Sequence, residues 1–369
     1  MITEDKKTPL FDTHVALNAR MAPFGGFLMP IQYTGIFKEH EATRTDAALF
    51  DTCHMGEFTL SGPTVVKDLE MLLSCPITDM QIGQCRYGLL CNENGGIKDD
   101  LLVYRLGESE FMLVVNAGTQ DGDFNWIQSH ISKESAIENR SESTAKIDLQ
   151  GPAAPAIMNA LIKGGIMDLR FYQFRPATYQ GEAVLVSRTG YTGEVGFELY
   201  APVHLARPFW DAAMKKGAIC AGLGARDTLR LEMGMPLYGH ELCETRNAAE
   251  AGFTRAIASD KTFIGSRVVC DPLQHHMTLV GMQLDGRQSA RHGDAILNAE
   301  GDAIGTVTSG SFAPSLGTAI ALGYIPKDQT QLDTNVLLQT ARKALPGKVV
   351  KPPFYNKATA RKALSTFCS

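Results

Sequence analysis

The sequence predicts an α+β fold, a mixed body of α/β or α+β character followed by an all-β, barrel-like C-terminal part. Three observations carry this. A chain of 369 residues is too long for one ordinary core and long enough for two or three domains. Its 44% hydrophobic and 20% charged residues are the balance of a fully folded globular chain. Beyond about residue 270, short alternating strands with glycine turns dominate ("MTLVGMQL", "GDAIGTVTSG", "AIALGYI", "GKVVKPPF"), the pattern of a small barrel or sandwich.

The first hairpin is written in residues 85–106. "CRYGLLCN" and "LLVYRL" read as strands flanking Asn94-Gly95-Gly96, a turn signal because both turn residues must tolerate positive φ. "LLVYRL" is joined to "FMLVV" by "GESE", which sets position 106 near 111 and position 101 near Asn116. Asp99, Asp100 and Asn116 therefore gather at one end of a sheet. Neighbours on a strand point to opposite faces, so one acid is expected to hold the turn while the other faces a cleft. A cleft carboxylate accepts a proton, or balances a nitrogen that becomes cationic during reaction.

A helix over "TQDGDFNWIQSHI" follows, then a polar break over 132–146 before the apolar strand "IDLQG". The second hairpin is "AVLVSRTGYTGEVGFELY", in which Glu198 alternates with Phe197 and Leu199 and faces the other side. Next, "AGLGARDTLRLEMGMPLYGHEL" opens as a helix with Arg226 and Arg230 four apart, a repulsive spacing unless something anionic intervenes. An ion pair from Asp227 to Arg230 accounts for only one of the two.

Several chemistries are excluded. "GLGARD" fails as a dinucleotide fingerprint because Asp227 occupies the third glycine position, so no nicotinamide site is expected, and no phosphate-binding loop is present. Histidines and cysteines show no zinc spacing, so no metal is expected. The eight cysteines (53, 75, 85, 91, 220, 243, 270 and 368) form no paired motif and read as reduced thiols. The start of the chain carries acids and no signal-like segment, and no apolar run is long enough to span a bilayer, which predicts a cytoplasmic protein with no membrane contact. A net charge of -5 argues against nucleic acid as a partner. Charge is unevenly spread, however: Arg342, Lys343, Lys348, Lys351, Lys357, Arg361 and Lys362 follow Asp333 with no acid among them. That segment is either a solvated terminus or a docking patch for something acidic.

Taken in order, "TPLFDTHVALNARMAPFGGFLMPIQY", "EHEATRTDAALFDTCHM", "GGIKDDLLVY", "RTGYTGEVGFEL", "GLGARDTLRLEMGMPLYGHEL" and "GTVTSGSFAPSLGTAIALGYI" closely resemble the T-protein family of the glycine cleavage system, tetrahydrofolate-dependent aminomethyltransferases. The resemblance runs from about Thr8 to Phe354. It implies a three-domain cloverleaf with a central folate channel. The implied domains are 1–50 plus 145–245, 51–144 plus 246–272, and a β-barrel over 273–369. It also implies a lipoylated H-protein as partner, ammonia release, and 5,10-methylenetetrahydrofolate as product.

The same resemblance assigns residues. Asp99, the first acid of Gly-Gly-x-x-Asp-Asp, is expected against the pterin as the catalytic group, assisting proton movement at the attacking folate nitrogen and stabilising positive charge as ammonia leaves. Glu198 and Arg226 match folate-binding positions; Asn116, Tyr87, Tyr172 and Met55 fall where the family lines its pocket. Two departures stand out. Cys53 replaces the usual serine, and "ELCETRNAAEAGF" lacks the family's acid at Cys243 and its proline-leucine pair at Ala248 and Ala249. The alternative reading is a folate-dependent demethylase acting on a small methylated donor. A non-enzymatic, iron-sulfur-assembly relative would carry a cysteine and a glutamine in the loop where this chain has "SRTGYTGEVGFE".

Overall fold

A computed structural model describes residues 5–253 and 256–367. A small sheet of β1 (Lys6–Lys7), β2 (Arg20–Phe24) and β3 (Phe27–Gln32) opens the chain. It is tied to the body by Asp51, whose carboxylate accepts from Thr8 Oγ1 at 2.6 Å and lies 2.8 Å from His14 Nε2. The main sheet has six strands in the order β11-β12-β13-β10-β4-β14. These are β4 (Ala48–Asp51), β10 (Thr144–Gln150), β11 (Phe174–Tyr179), β12 (Glu182–Ser187), β13 (Gly196–Pro202) and β14 (Ile219–Cys220). Its apolar face, with Ile147, Leu149, Phe197 and Leu199, packs under α5 (Ala154–Leu161) and α6 (Ala206–Lys215). Alternation does the sorting: Phe197 and Leu199 enter this core, and Glu198 must leave by the opposite face.

A second sheet, ordered β6-β7-β8-β5-β9, contains β5 (Gly56–Ser61), β6 (Cys85–Cys91), β7 (Ile97–Arg105), β8 (Glu110–Val115) and β9 (Ala136–Asn139). The polar stretch at 132–146 is thus less a break than an edge, since β9 lies within it and pairs with β5. One face of the sheet packs Phe58, Leu60, Leu101, Val103 and Leu113 against α3 (Val65–Leu72) and α4 (Gln120–His130). Its other face presents Cys85, Tyr104, Met112 and Val114 to Phe174 and Tyr200 of the main sheet. Cys85 N donates to Tyr172 O at 3.0 Å and Phe174 N to Gly83 O at 2.9 Å, fixing the two sheets side by side.

The C-terminal part resolves the choice between barrel and sandwich. β15 (Met277–Leu284), β16 (Ala295–Leu297), β17 (Ala303–Ala313), β18 (Thr318–Pro326), β19 (Asn335–Gln339) and β20 (Ala344–Val350) close into a six-stranded barrel filled by Met282, Ile296, Val307, Ile325 and Leu338. Further helices, outside these sheets' cores, are α1 (Phe11–Ala16), α2 (Ile36–Thr45) and α8 (Ser266–Val269). The helix expected near Gly222 is α7 (Leu223–Glu232), and its Arg230 reaches the barrel by donating to Ser309 Oγ at 2.7 Å. The fold is the α+β arrangement with a C-terminal barrel that the sequence predicts.

Among the described residues no helix is long and apolar enough to cross a membrane. The seven cysteines among them are free thiols. Cys368 lies outside the described residues.

Candidate active site

The Asp99–Asp100 strand settles which acid looks where. β7 begins at Ile97, so both aspartates stand inside a paired strand, opposite Leu90 and Leu89 of β6. The turn before them is held by neither: Asn92 Oδ1 accepts from Gly96 N at 2.9 Å, and Gly95 supplies the positive φ of 78°. Leu101 and Val103 fill the core beneath α3 and α4, and Asp99 shares their parity. Leu102 and Tyr104 face the space between the two sheets, and Asp100 shares theirs. The sequence expectation gave the cleft to Asp99; the strand's alternation gives it to Asp100. Asp99 is fully buried on the α4 side.

The pairing of β7 with β8 contributes to the difference. Leu102 opposes Val114 and Arg105 opposes Phe111, one step away from the expected alignment, which sets Asp100 level with Asn116. Asn116 then joins both acids. Its backbone N–H and Nδ2 donate to Asp99 at 2.9 and 2.8 Å, and Nδ2 also donates to Asp100 Oδ1 at 2.9 Å. From the cleft side, Tyr87 Oη donates to Asp100 Oδ2 at 3.0 Å. Burial, followed by the Asp99 carboxyl behind it, pushes the Asp100 carboxyl up to about 7. A group poised there exchanges a proton near neutrality.

Tyr87 also lines a cavity of about 600 Å³ together with Tyr172, Phe171, Phe253, Arg86, Arg170 and Arg361, among others. Tyr172 sits at φ 67°, an unusual conformation for an aromatic residue. It is held there by backbone bonds to Arg188 O and from Cys85 N. Met55 lies deeper, against the apolar cluster of Tyr104, Met112 and Tyr200.

The polar end of the interior is a chain of charges. Lys146 Nζ donates to Glu198 at 2.8 Å and to Asp148 at 3.0 Å, and Arg226 donates to the other oxygen of Asp148 at 2.8 Å. Arg226 therefore has its own anion, and Arg230 pairs with Asp227 and Glu241 at 2.8 and 3.0 Å, which resolves the like-charge spacing. Burial opposes the charge on Asp148, and Lys146 and Arg226 override it, holding the carboxyl below its ordinary range. Glu198 also accepts from Thr189 Oγ1 at 2.6 Å and lies within 3.2 to 3.3 Å of the Tyr200 and Tyr104 hydroxyls. The two tyrosines hydrogen-bond each other at 2.9 Å, and each has one proton. With one hydroxyl donating to the other, Glu198 receives three donors and keeps one acceptor direction open. Nearby, burial raises Glu57 well above the usual carboxylate range and lowers His54 to about 4. Among the described residues, neither Glu57 oxygen nor His54 Nδ1 has a partner.

So the residues singled out in the sequence fall into three linked groups: Asp99, Asp100, Asn116 and Tyr87; Met55 and Tyr172; Glu198 and Arg226. Sequence reasoning missed Lys146 and Asp148, although "KIDLQ" places them two apart on one strand face. It also missed Tyr191, over whose ring Arg226 sits at 4.8 Å, and the place of Arg361 beside the cavity. Among the described residues no group of three or more metal-binding side chains is gathered.

Comparison with known proteins gives one consistent result. Residues 10–261 match the GCVT N-terminal domain family, and residues 278–356 match the glycine cleavage T-protein C-terminal barrel domain family. An aminomethyltransferase of Halothermothrix orenii is 41% identical over 356 residues, covering 95% of this chain and 99% of that protein. One from Desulforamulus reducens is also 41% identical, covering 96% and 99% respectively. The crystal structure of the glycine cleavage system aminomethyltransferase T from Bartonella henselae superposes with a TM-score of 0.91 at 33% identity, over 97% of this chain and all of that one.

Proposed function

The chain belongs to the glycine cleavage T-protein family of aminomethyltransferases, and from that premise we propose that it takes the aminomethyl group from the lipoyl arm of an H-protein, releases ammonia and forms 5,10-methylenetetrahydrofolate. The observation that carries the reading is the Asp100 carboxyl, held between Tyr87 and Asn116 on the cleft face of β7 and poised near neutrality. In place of Asp99, Asp100 is the acid we assign to the chemistry. It accepts or returns the proton at the reacting folate nitrogen. As a carboxylate it also balances the positive charge that develops as ammonia leaves.

The cavity and the polar groups deeper in the interior fit a folate. Tyr87, Tyr172 and Phe253 offer flat apolar faces to a fused ring, and the open acceptor direction of Glu198 suits the amino-amide edge of a pterin. Arg226 and Arg361 supply cationic donors for carbonyl or carboxylate groups, Asn116 orients the acid, and Met55 adds soft apolar surface beneath. The six-stranded sheet, the five-stranded sheet and the barrel, each separate, support a partition into 1–50 with 145–245, 51–144 with 246–272, and 273–369. The basic residues after Asp333 fit an acidic carrier protein or a polyglutamate tail, and binding through them falls as salt rises.

The test is ammonia release from aminomethyl-lipoyl H-protein in a single turnover, with and without tetrahydrofolate. Release that depends on tetrahydrofolate supports the proposal. No release while folate still binds overturns it, and makes small methylated donors the next substrates to try.

A further inference from the structure

Behind the cleft, on the far side of β7, lies a group of acids that the proposed reaction does not touch. Asp123 of α4 is 1% exposed, and among the described residues its Oδ2 meets no N–H or O–H donor. Its carboxyl stands within hydrogen-bonding reach of Asp99. Asp99 in turn receives two N–H donors from Asn116, whose Nδ2 also bonds Asp100. Three carboxyls and one amide thus form an unbroken line from the cleft to the inside of α4. The line ends at a small surface pocket of about 200 Å³ lined by Lys98, Gly118, Thr119, Gly122, Asp123 and Glu244.

Two buried carboxylates in contact cannot both be ionised, because neither has a proton to offer and the repulsion is unscreened. One proton between them removes the repulsion and turns the contact into a hydrogen bond. The donors decide where it sits. Asp99 accepts two N–H bonds from Asn116, which favour its charged form, whereas among the described residues Asp123 has only the Thr119 hydroxyl and its Oδ2 has no donor, which favours a hydroxyl there pointing at Asp99. We infer that Asp99 and Asp123 share one proton and serve as a positioning pair, fixing a single negative charge directly behind Asp100 with Asn116 as the rigid link. Burial raises both carboxyls, Asp99 well above its ordinary range and Asp123 to about 7, so the pair holds a proton at neutral pH.

The other charged or titratable groups facing the pair are few. Lys98 of β7 is engaged by Glu244 at 3.4 Å and stacks over Trp126 at 4.6 Å. Tyr238 approaches the pair from the loop beyond α7, and its own hydroxyl is raised by burial and then by the nearby acids, Asp99 first and Glu244 next. Because Asp123 lines the surface pocket, the pair exchanges its proton with solvent there and leaves the cleft undisturbed.

The inference rests on the role given to Asp100, and its test keeps the two apart. Asp123→Asn supplies an amide N–H where we place the Asp123 hydroxyl, so Asp99 stays charged. Asp99→Asn instead moves the charge to Asp123, one residue further from the cleft. Wild-type-minus-variant infrared spectra at neutral pH, in which carboxyls common to both such as protonated Glu57 cancel, should show one protonated-carboxyl stretch that each variant has lost. The pH profile of single-turnover ammonia release should stay in place for Asp123→Asn and move about one pH unit lower for Asp99→Asn, as expected when a nearby buried charge retreats. Retention of the carboxyl band in Asp123→Asn, or an unmoved profile in Asp99→Asn, overturns the inference. The spectra need no turnover, so they test the shared proton even if aminomethyl transfer is not the reaction.

Discussion

Replacing Asp100 by asparagine should separate the two acids of β7 most sharply. The amide matches the carboxylate in shape, so its oxygen still accepts from Asn116 Nδ2. Its own N–H₂ can donate to Tyr87, whose hydroxyl then turns its proton toward the cavity it lines, and the sheet is kept. What disappears is the proton-exchanging group and its charge. A positioned acid–base group contributes at least about a hundredfold, or about 2.7 kcal/mol of barrier. Asp99→Asn changes no atom in the cleft, because the strand lies between. At the top of its own pH profile its rate should stay within about tenfold of wild type, equivalent to 1.4 kcal/mol or less. The assay is single-turnover ammonia release from aminomethyl-lipoyl H-protein at saturating tetrahydrofolate, run across pH to separate a moved profile from a lowered plateau. A plateau that falls further in Asp99→Asn than in Asp100→Asn would refute the assignment of faces.

Two more outcomes are expected. Glu198→Gln removes one of the two anions around buried Lys146 and should destabilise the fold by about 3 kcal/mol, seen in urea titration, while weakening tetrahydrofolate binding in calorimetry. Stability should also respond to pH through the Asp99–Asp123 pair. A carboxyl raised in the folded state binds its proton more tightly there than in the unfolded chain, so its contribution is complete below about pH 4 and is lost as pH climbs through about 7. Asp123→Asn removes that dependence and should gain on wild type between pH 5 and 8, by about 4 kcal/mol at most; a constant difference across that range would contradict the shared proton.

The barrel, both hairpins and α7 were legible because their signals are local: glycine turns, period-two alternation and a 3.6-residue stripe. The face of Asp100 was not. Reading the "GESE" connection as the loop puts the strand's start at Phe111, yet Glu110 already pairs with Ser61 of β5 while its side chain stays exposed. Leu106 N donates to Glu110 O, closing a shorter turn than the apolar pattern marks. A slip of one residue reverses which side chain meets which partner, and polar strand ends carry no hydrophobic signal to prevent it. Lys146 and Asp148 were hidden differently. A lysine in a strand reads as solvent-facing, and only the approach of Glu198 and Arg226 from elsewhere in the chain makes its burial tolerable.

Arg188 donates to the backbone carbonyls of Ala360 and Lys362, and the backbone N–H groups of Thr359 and Ala360 both reach Gly193 O at 3.0 Å. This clasp carries Arg361 back across the molecule to the cavity wall beside Phe171, over whose ring it lies at 5.5 Å. Residues 359–362 follow every strand of both sheets and the barrel along the chain, so this wall of the cavity is completed only after all of those strands. The last wall of the cavity is thus set by a segment that belongs to none of the strands, held in place by what it grips on the sheet beside it.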